Sequence, residues 1–201
     1  MNTKLLRGVP WWLAAVLVLL FGLSLTFVNT NDYTPDTKPV EIVLSVILQV
    51  IPITLLYISI GVLVMADRQR RSQGQISKRL AKLIYWIPRI AGIFISLFVA
   101  MFALDVLGME GSVWEKIGAF LIHAAPAIAM GIVLAVAWRQ DKVGFWAFLI
   151  AAIFFLRFWV GDPLEQFGMV LLFSGPMAVI AMMFWANWKW KKELHPTETA
   201  A

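Results

Sequence analysis

Six apolar runs constrain this chain more than any other feature of its sequence. They cover approximately Trp11–Val28, Ile42–Ala66, Ile84–Leu107, Ile117–Trp138, Gly144–Val160 and Phe167–Trp188. An α-helix rises 1.5 Å per residue, so crossing about 30 Å of hydrocarbon takes about 20 residues. Inside hydrocarbon a single segment satisfies its own backbone polar groups only as a helix. The pattern therefore predicts an all-α fold, a polytopic transmembrane helix bundle of six spans. The fifth run is the shortest and carries Arg157. The first, preceded by Lys4 and Arg7, imitates a signal peptide. It is longer than a typical signal core and has no small-x-small site after it, so it is expected to stay as an uncleaved helix.

Composition excludes several function classes. The chain of 201 residues is 61% hydrophobic and 14% charged, against about 45–50% and about 25% in soluble domains. A net charge of +5 would raise nucleic acid as a partner only if the cations gathered on one solvated domain. Here they punctuate apolar runs, and no nucleic-acid partner is expected. With no cysteine there is no disulfide, thiolate metal site or cysteine nucleophile. HExxH, GxSxG, P-loop and paired-aspartate signatures are all missing from the sequence. Haem held by two histidines would need a second histidine inside the membrane, but His195 falls in the tail. The expectation is a chain with no catalytic residues, no metal and no cofactor, and not an enzyme.

Orientation follows from the cations, which are retained on the cytoplasmic side of short loops. Lys4, Arg7, Arg68, Arg70, Arg71, Lys78, Arg79, Lys82, Arg89, Arg139, Lys142, Lys189, Lys191 and Lys192 fall on one side, 14 of the 17. Asp32, Asp36, Glu41, Asp105, Glu110, Glu115, Asp162 and Glu165 fall on the other, with Lys38, Lys116 and Arg157. Both termini are thus predicted to be cytoplasmic. The ten tryptophans lie near run ends, where an amphipathic ring prefers headgroup level.

Four sections follow from the same pattern: a two-helix hairpin (1–66), a basic connector (67–83), a four-helix unit (84–188) and a tail (189–201). In the connector Ile76, Leu80, Leu83 and Ile84 recur at helical spacing among Lys78, Arg79 and Lys82. That spacing predicts a helix in the headgroup plane that attracts anionic lipid headgroups. In the fourth run His123, Ala127, Gly131 and Ala135 recur every four residues, and Gly92, Ser96 and Ala100 do so in the third. Small residues in such stripes allow close backbone approach, so both are expected to be packing faces and the thin fourth helix to be central. Pro126 and the Ser174-Gly175-Pro176 segment are expected to kink their helices.

The motifs Ile87-Pro88-Arg89, Phe102-Ala103-Leu104-Asp105-Val106, Trp114-Glu115, Leu121-Ile122-His123 with Pro126, Ala137-Trp138 and Ser174-Gly175-Pro176 carry a resemblance. From near Leu83 to near Trp188 the chain resembles a widespread group of small, uncharacterised bacterial four-span membrane proteins. The resemblance implies that runs three to six are the family unit and that runs one and two precede it. It implies no activity, substrate or cofactor.

Ionisable residues inside a membrane are expensive and are the default functional candidates. His123, Asp105 and Arg157 all fall in the outer half of their runs. With Gln49 and Ser174 they define a candidate outward-facing polar pocket. The competing structural reading has Asp105 at the interface, Arg157 snorkelling along its own stem and His123 bonded to a nearby carbonyl. Two functions remain open: a non-enzymatic accessory, assembly or partner-binding subunit, and a small-solute or ion transporter or channel using that pocket. The expected partners are the lipid bilayer, anionic headgroups, and a membrane protein or a second copy of the chain.

Overall fold

In the computed structural model the described residues are 11–29, 38–158, 167–168 and 170–194, and they contain no strand. Lys4, Arg7, Asp32, Asp36, Asp162, Glu165 and the tail from His195 lie outside them. Each apolar run is helical: α1 (Trp11–Asn29), α2 (Pro39–Gln73), α3 (Lys78–Met101), α4 (Val113–Ala137), α5 (Asp141–Phe158) and α6 (Gly175–Lys189). A 3₁₀ segment, Phe102–Gly108, continues α3, a π-helical turn, Val170–Ser174, leads into α6, and a last short helix, α7, covers Lys191–Leu194. Four helical stretches are long and apolar enough to cross a membrane: Val46–Gln73, Lys78–Val106, Val113–Ala137 and Val170–Lys189. α1 contains the shorter apolar stretch Ala14–Leu25. α5 has 18 residues and carries Asp141, Lys142 and Arg157 near its ends. The outer surface is studded with exposed Leu, Ile, Val, Phe and Trp side chains, among them Ile122, Ile132 and Ile150. An all-helical chain with such a surface fits a membrane protein.

Local chemistry explains several helix ends. α2 ends where Gly74 takes the left-handed conformation, φ 69°, and donates its N–H to the Arg70 carbonyl. That conformation costs a residue without Cβ nothing in sterics. The turn is stapled further, since the Ser77 N–H donates to Gln69 Oε1 at 2.8 Å and the Ile76 N–H to the Glu193 carbonyl at 3.4 Å. α4 starts on a capping box, with Glu115 Oε2 accepting the Ser112 N–H at 2.7 Å and Ser112 Oγ accepting the Glu115 N–H at 3.4 Å. Pro126 lies within α4, which stays helical through it.

Two expectations are corrected. Residues 67–83 do not form a separate helix in a headgroup plane. The first seven complete α2 and the last six open α3, while Ile76, Leu80 and Ile84 are buried against Val62, Ala66, Met183, Ala186, Trp190 and Leu194. Three residues of the apolar stripe found a protein surface to cover, while Leu83 stays exposed with the basic side. Nor is α4 central. In Val170–Lys189, 61% of the apolar stretch is buried, against 22% in Val113–Ala137. α6 packs on α2, α3 and α5, with Met177, Ile180, Ala181, Met183 and Phe184 at 1% exposure or less. Thin side chains permit close approach, but burial also needs neighbours on several sides, and most of the small residues of α4 face outward.

Candidate functional site

The most heavily built polar centre lies where the α3, α4, α5 and α6 chains meet at the basic end. Arg89 begins the fourth turn of α3 and is 1% exposed. Its Nη1 donates to the Tyr85 carbonyl at 2.6 Å; its Nη2 donates to Asp141 Oδ1 at 2.8 Å and to the Trp138 carbonyl at 3.3 Å. The guanidinium carbon lies 3.7 Å from the centroid of the Tyr85 ring and 5.5 Å from that of Phe184. Nε has no partner. Every contact answers the cost of burying a cation. Asp141 supplies the counter-charge, Trp138 supplies a carbonyl at the negative end of α4, and two rings supply π-faces. Beside it, Asn187 Nδ2 donates to the carbonyls of Ile84 at 2.7 Å and Met183 at 3.0 Å, tying α6 to α3.

This chemistry holds helices together and leaves little for a substrate. The side chain of Asp141 is 27% exposed, but the oxygen that meets Arg89 is committed to it. Close packing surrounds the pair. A Cβ on Gly144 would meet the Phe184 ring at 2.7 Å, so α5 and α6 approach as they do only because residue 144 is glycine. Phe184 in turn stacks on Phe148, with ring centroids 5.9 Å apart.

The residues of the candidate polar pocket come from five different elements: Gln49 from α2, Asp105 from the 3₁₀ segment, His123 from α4, Arg157 from α5 and Ser174 from the π-helical turn. Asp105 is exposed in the 3₁₀ segment, and Arg157 is exposed near the end of α5. His123 is exposed on α4, its Nδ1 lying 2.9 Å from the Ala119 carbonyl one turn earlier. A carbonyl only accepts, so Nδ1 carries the proton in that bond. Gln49 Oε1 and Ser174 Oγ are buried with no partner among the described residues. Among the described residues no hydrogen bond or ion pair joins any two of these five, and no group of three or more His, Asp or Glu side chains is placed to hold a metal.

The small-residue stripes divide in the same way. Gly92 and Ser96 are buried and Ala100 is partly buried; Ser96 Oγ donates to the Gly92 carbonyl at 2.8 Å. On α4, Ala127 is buried while Gly131 and Ala135 are exposed. The buried face of α4 is Ala124, Ala127, Met130, Leu134 and Ala137. Steps of four residues advance about 400° on a helix, so a strict four-residue stripe drifts about 40° per step and leaves the contact face. Steps of three and four together stay on it. Outside that face, α4 and α5 flank an open apolar groove of about 580 Å³, lined by Ala125, Pro126, Ala129, Ala147, Ala151 and Phe155 among others.

Sequence reasoning counted Arg89 among the orientation-setting cations and missed its burial. The available signal was its position, inside an apolar run and directly after Pro88, where a snorkelling residue near the run's end was the simpler expectation. No curated protein and no solved structure matches the chain. The profile of a domain of unknown function, DUF7670, matches residues 77–195. The match takes in Arg89, Tyr85, Trp138, Asp141, Phe184 and Asn187, together with the whole of the stretch that carried the sequence resemblance. It covers more than half of the chain, which therefore belongs to the DUF7670 family of domains of unknown function.

Proposed function

We propose that this protein is a six-span component of the bacterial inner membrane, with both termini in the cytoplasm, acting as a non-enzymatic accessory or assembly subunit. Its polar interior ties its own helices together at the basic end, and its partner is another membrane protein met through α4. The observation that carries this reading is the exposed face of α4. Gly118, Ala125, Ala129, Gly131 and Ala135 are open, and Ala125 and Ala129 line the apolar groove shared with α5. A transmembrane helix of a partner can approach such a face closely, gaining van der Waals contact that lipid tails match poorly. The basic end then lies at the cytoplasmic leaflet, against anionic headgroups.

A second reading, a small-solute or ion path, is favoured by the buried, unpartnered oxygens of Gln49 and Ser174, the latter closing a π-helical turn of a kind often found at functional sites. One comparison separates the two. Under the partner reading Gly131→Leu abolishes the growth phenotype of the gene and the discrete protein adduct formed by a photo-crosslinker at Ile132. His123→Asn and Asp105→Asn leave both intact, with stability unchanged to within about 0.5 kcal/mol. Lipid adducts alone at Ile132, or phenotype lost in His123→Asn and Ser174→Ala with Gly131→Leu silent, would replace it with the transport reading.

Topology is tested separately. Reporter fusions after Asp36, Gln73, Gly111, Gln140, Pro163 and Lys192 are expected to read outside, inside, outside, inside, outside, inside. A cytoplasmic signal after Pro163 removes the fifth or sixth span and with it the six-span arrangement.

A further inference from the structure

Two ammonium groups crowd one indole at the basic end. Lys142, in the first turn of α5, holds Nζ 5.6 Å from the centroid of the Trp188 ring, and Lys189, closing α6, holds Nζ 4.2 Å from the same centroid. Both lysines are exposed, and neither forms an ion pair among the described residues. The carboxylate next to Lys142 in sequence, Asp141, is engaged by Arg89. Like charges held over one ring repel each other, and the π-face offsets only part of that. Arg139, Lys191 and Lys192, all exposed at the same end, raise the local potential further. Against these cations the same end offers the carboxylate of the partly exposed Glu193, which forms no ion pair with either lysine.

The surface beyond the two lysines says which kind of anion suits them. From Lys142 the same side of α5 continues through Trp146, Ile150 and Ile153, exposed by 50%, 63% and 57%. Steps of four, four and three residues keep them on one track along the helix. A cationic seat joined to an apolar track suits an amphiphile, with a phosphate at the lysines and an acyl chain laid along α5. A soluble phosphate has no use for the track.

We propose that Lys142, Trp188 and Lys189 seat the phosphodiester of an acidic phospholipid whose chain runs along α5. The inference rests on the reading of the basic end as the face against anionic headgroups, and deepens it by naming the site. The test uses the full chain in neutral detergent, with bound lipid counted by native mass spectrometry during titration with phosphatidylglycerol or phosphatidylcholine. The wild type binds phosphatidylglycerol in preference, and Lys142→Gln/Lys189→Gln weakens that binding by about ten- to thirty-fold. Lys78→Gln/Lys82→Gln removes the same charge from two exposed lysines at the same end, and there the loss stays below about threefold. Equal losses in the two pairs, or none in the first, overturn the seat while leaving the basic-face reading standing. A wild type indifferent between the two lipids overturns both. Displacement of phosphatidylglycerol by millimolar glycerol phosphate reassigns the site to a soluble phosphate and overturns the lipid.

Discussion

Arg89→Met is expected to destabilise the protein by about 3–5 kcal/mol, and Asp141→Leu by about 2–4 kcal/mol, yet the double variant should lie within about 1–2 kcal/mol of the wild type. The reasoning starts from the guanidinium, which is buried. Taking Asp141 away leaves it with carbonyls and ring faces but no counter-charge. The smaller figure for Asp141 reflects its partial exposure, because solvent reaching that side chain screens the pair. Taking Arg89 away strips a partner from Asp141 and from the Tyr85 and Trp138 carbonyls. An apolar side chain at both positions removes the two desolvated charges together, and buried ion pairs exchanged in this way are commonly close to neutral. Thermal unfolding of the three variants in detergent measures the cycle. Additive losses, with the double variant the least stable, would show that the pair adds net stability over an apolar replacement. A double variant that recovers its melting temperature but not its biological activity would show that the charge does more than join helices.

Gly144→Val should cost about as much, and Gly144→Ala about 1–3 kcal/mol, through overpacking. A Cβ at this position meets three ring atoms of Phe184 at 2.7–2.8 Å. The ring cannot yield easily, since Phe184 is fully buried, stacks on Phe148 and lies under the Arg89 guanidinium. Relief therefore requires α5 to move away from α6, which would disturb the Asp141 contact at the start of α5. Phe184→Leu costs packing on its own account, but combined with Gly144→Ala it should recover part of the loss, because the smaller side chain vacates the space that the new methyl group needs. Melting temperatures of the two single variants and their combination test this. An unchanged melting temperature in Gly144→Ala would mean that the helices separate at no cost and that the close approach is incidental to stability.

The helices themselves were legible because their signal is local. Every apolar run is helical, and the starts of α1 to α5 differ from the sequence reading by at most six residues, while α6 opens at Gly175, after a π-helical turn, rather than at Phe167. The early starts of α2, α3, α4 and α5 share a cause: each helix extends into polar sequence beyond the apolar run, where hydropathy falls but nothing breaks the backbone hydrogen bonding. The segregation of cations toward one end was legible for the same reason, since loops between adjacent helices must emerge alternately at the two ends. Which side chains face each other is not local. His123, Gly131 and Ala135 form a persuasive stripe on paper, but the rotation of α4 about its axis is set by Leu134 and Met130 packing on the side of α3 and α5, and it turns most of that stripe outward. Depth alone groups Asp105, His123 and Arg157, and among the described residues no hydrogen bond or ion pair joins them. Arg89 is the converse: its place inside an apolar run after Pro88 sets it apart from the other cations of the basic end, but its burial depends on Asp141, Trp138 and Phe184, which lie about 50 to 95 residues away along the chain. Sequence by itself determined the helical class, the approximate extent of the six helices and the charge asymmetry, all of which follow from backbone hydrogen bonding and solvent transfer of contiguous residues. Tertiary structure alone decided that α6 is the core, that α4 is open, and that one arginine among the described cations of the basic end is withdrawn from water, because only when four helix ends converge are a carboxylate, a carbonyl and two rings brought close enough to offset the cost of burying it.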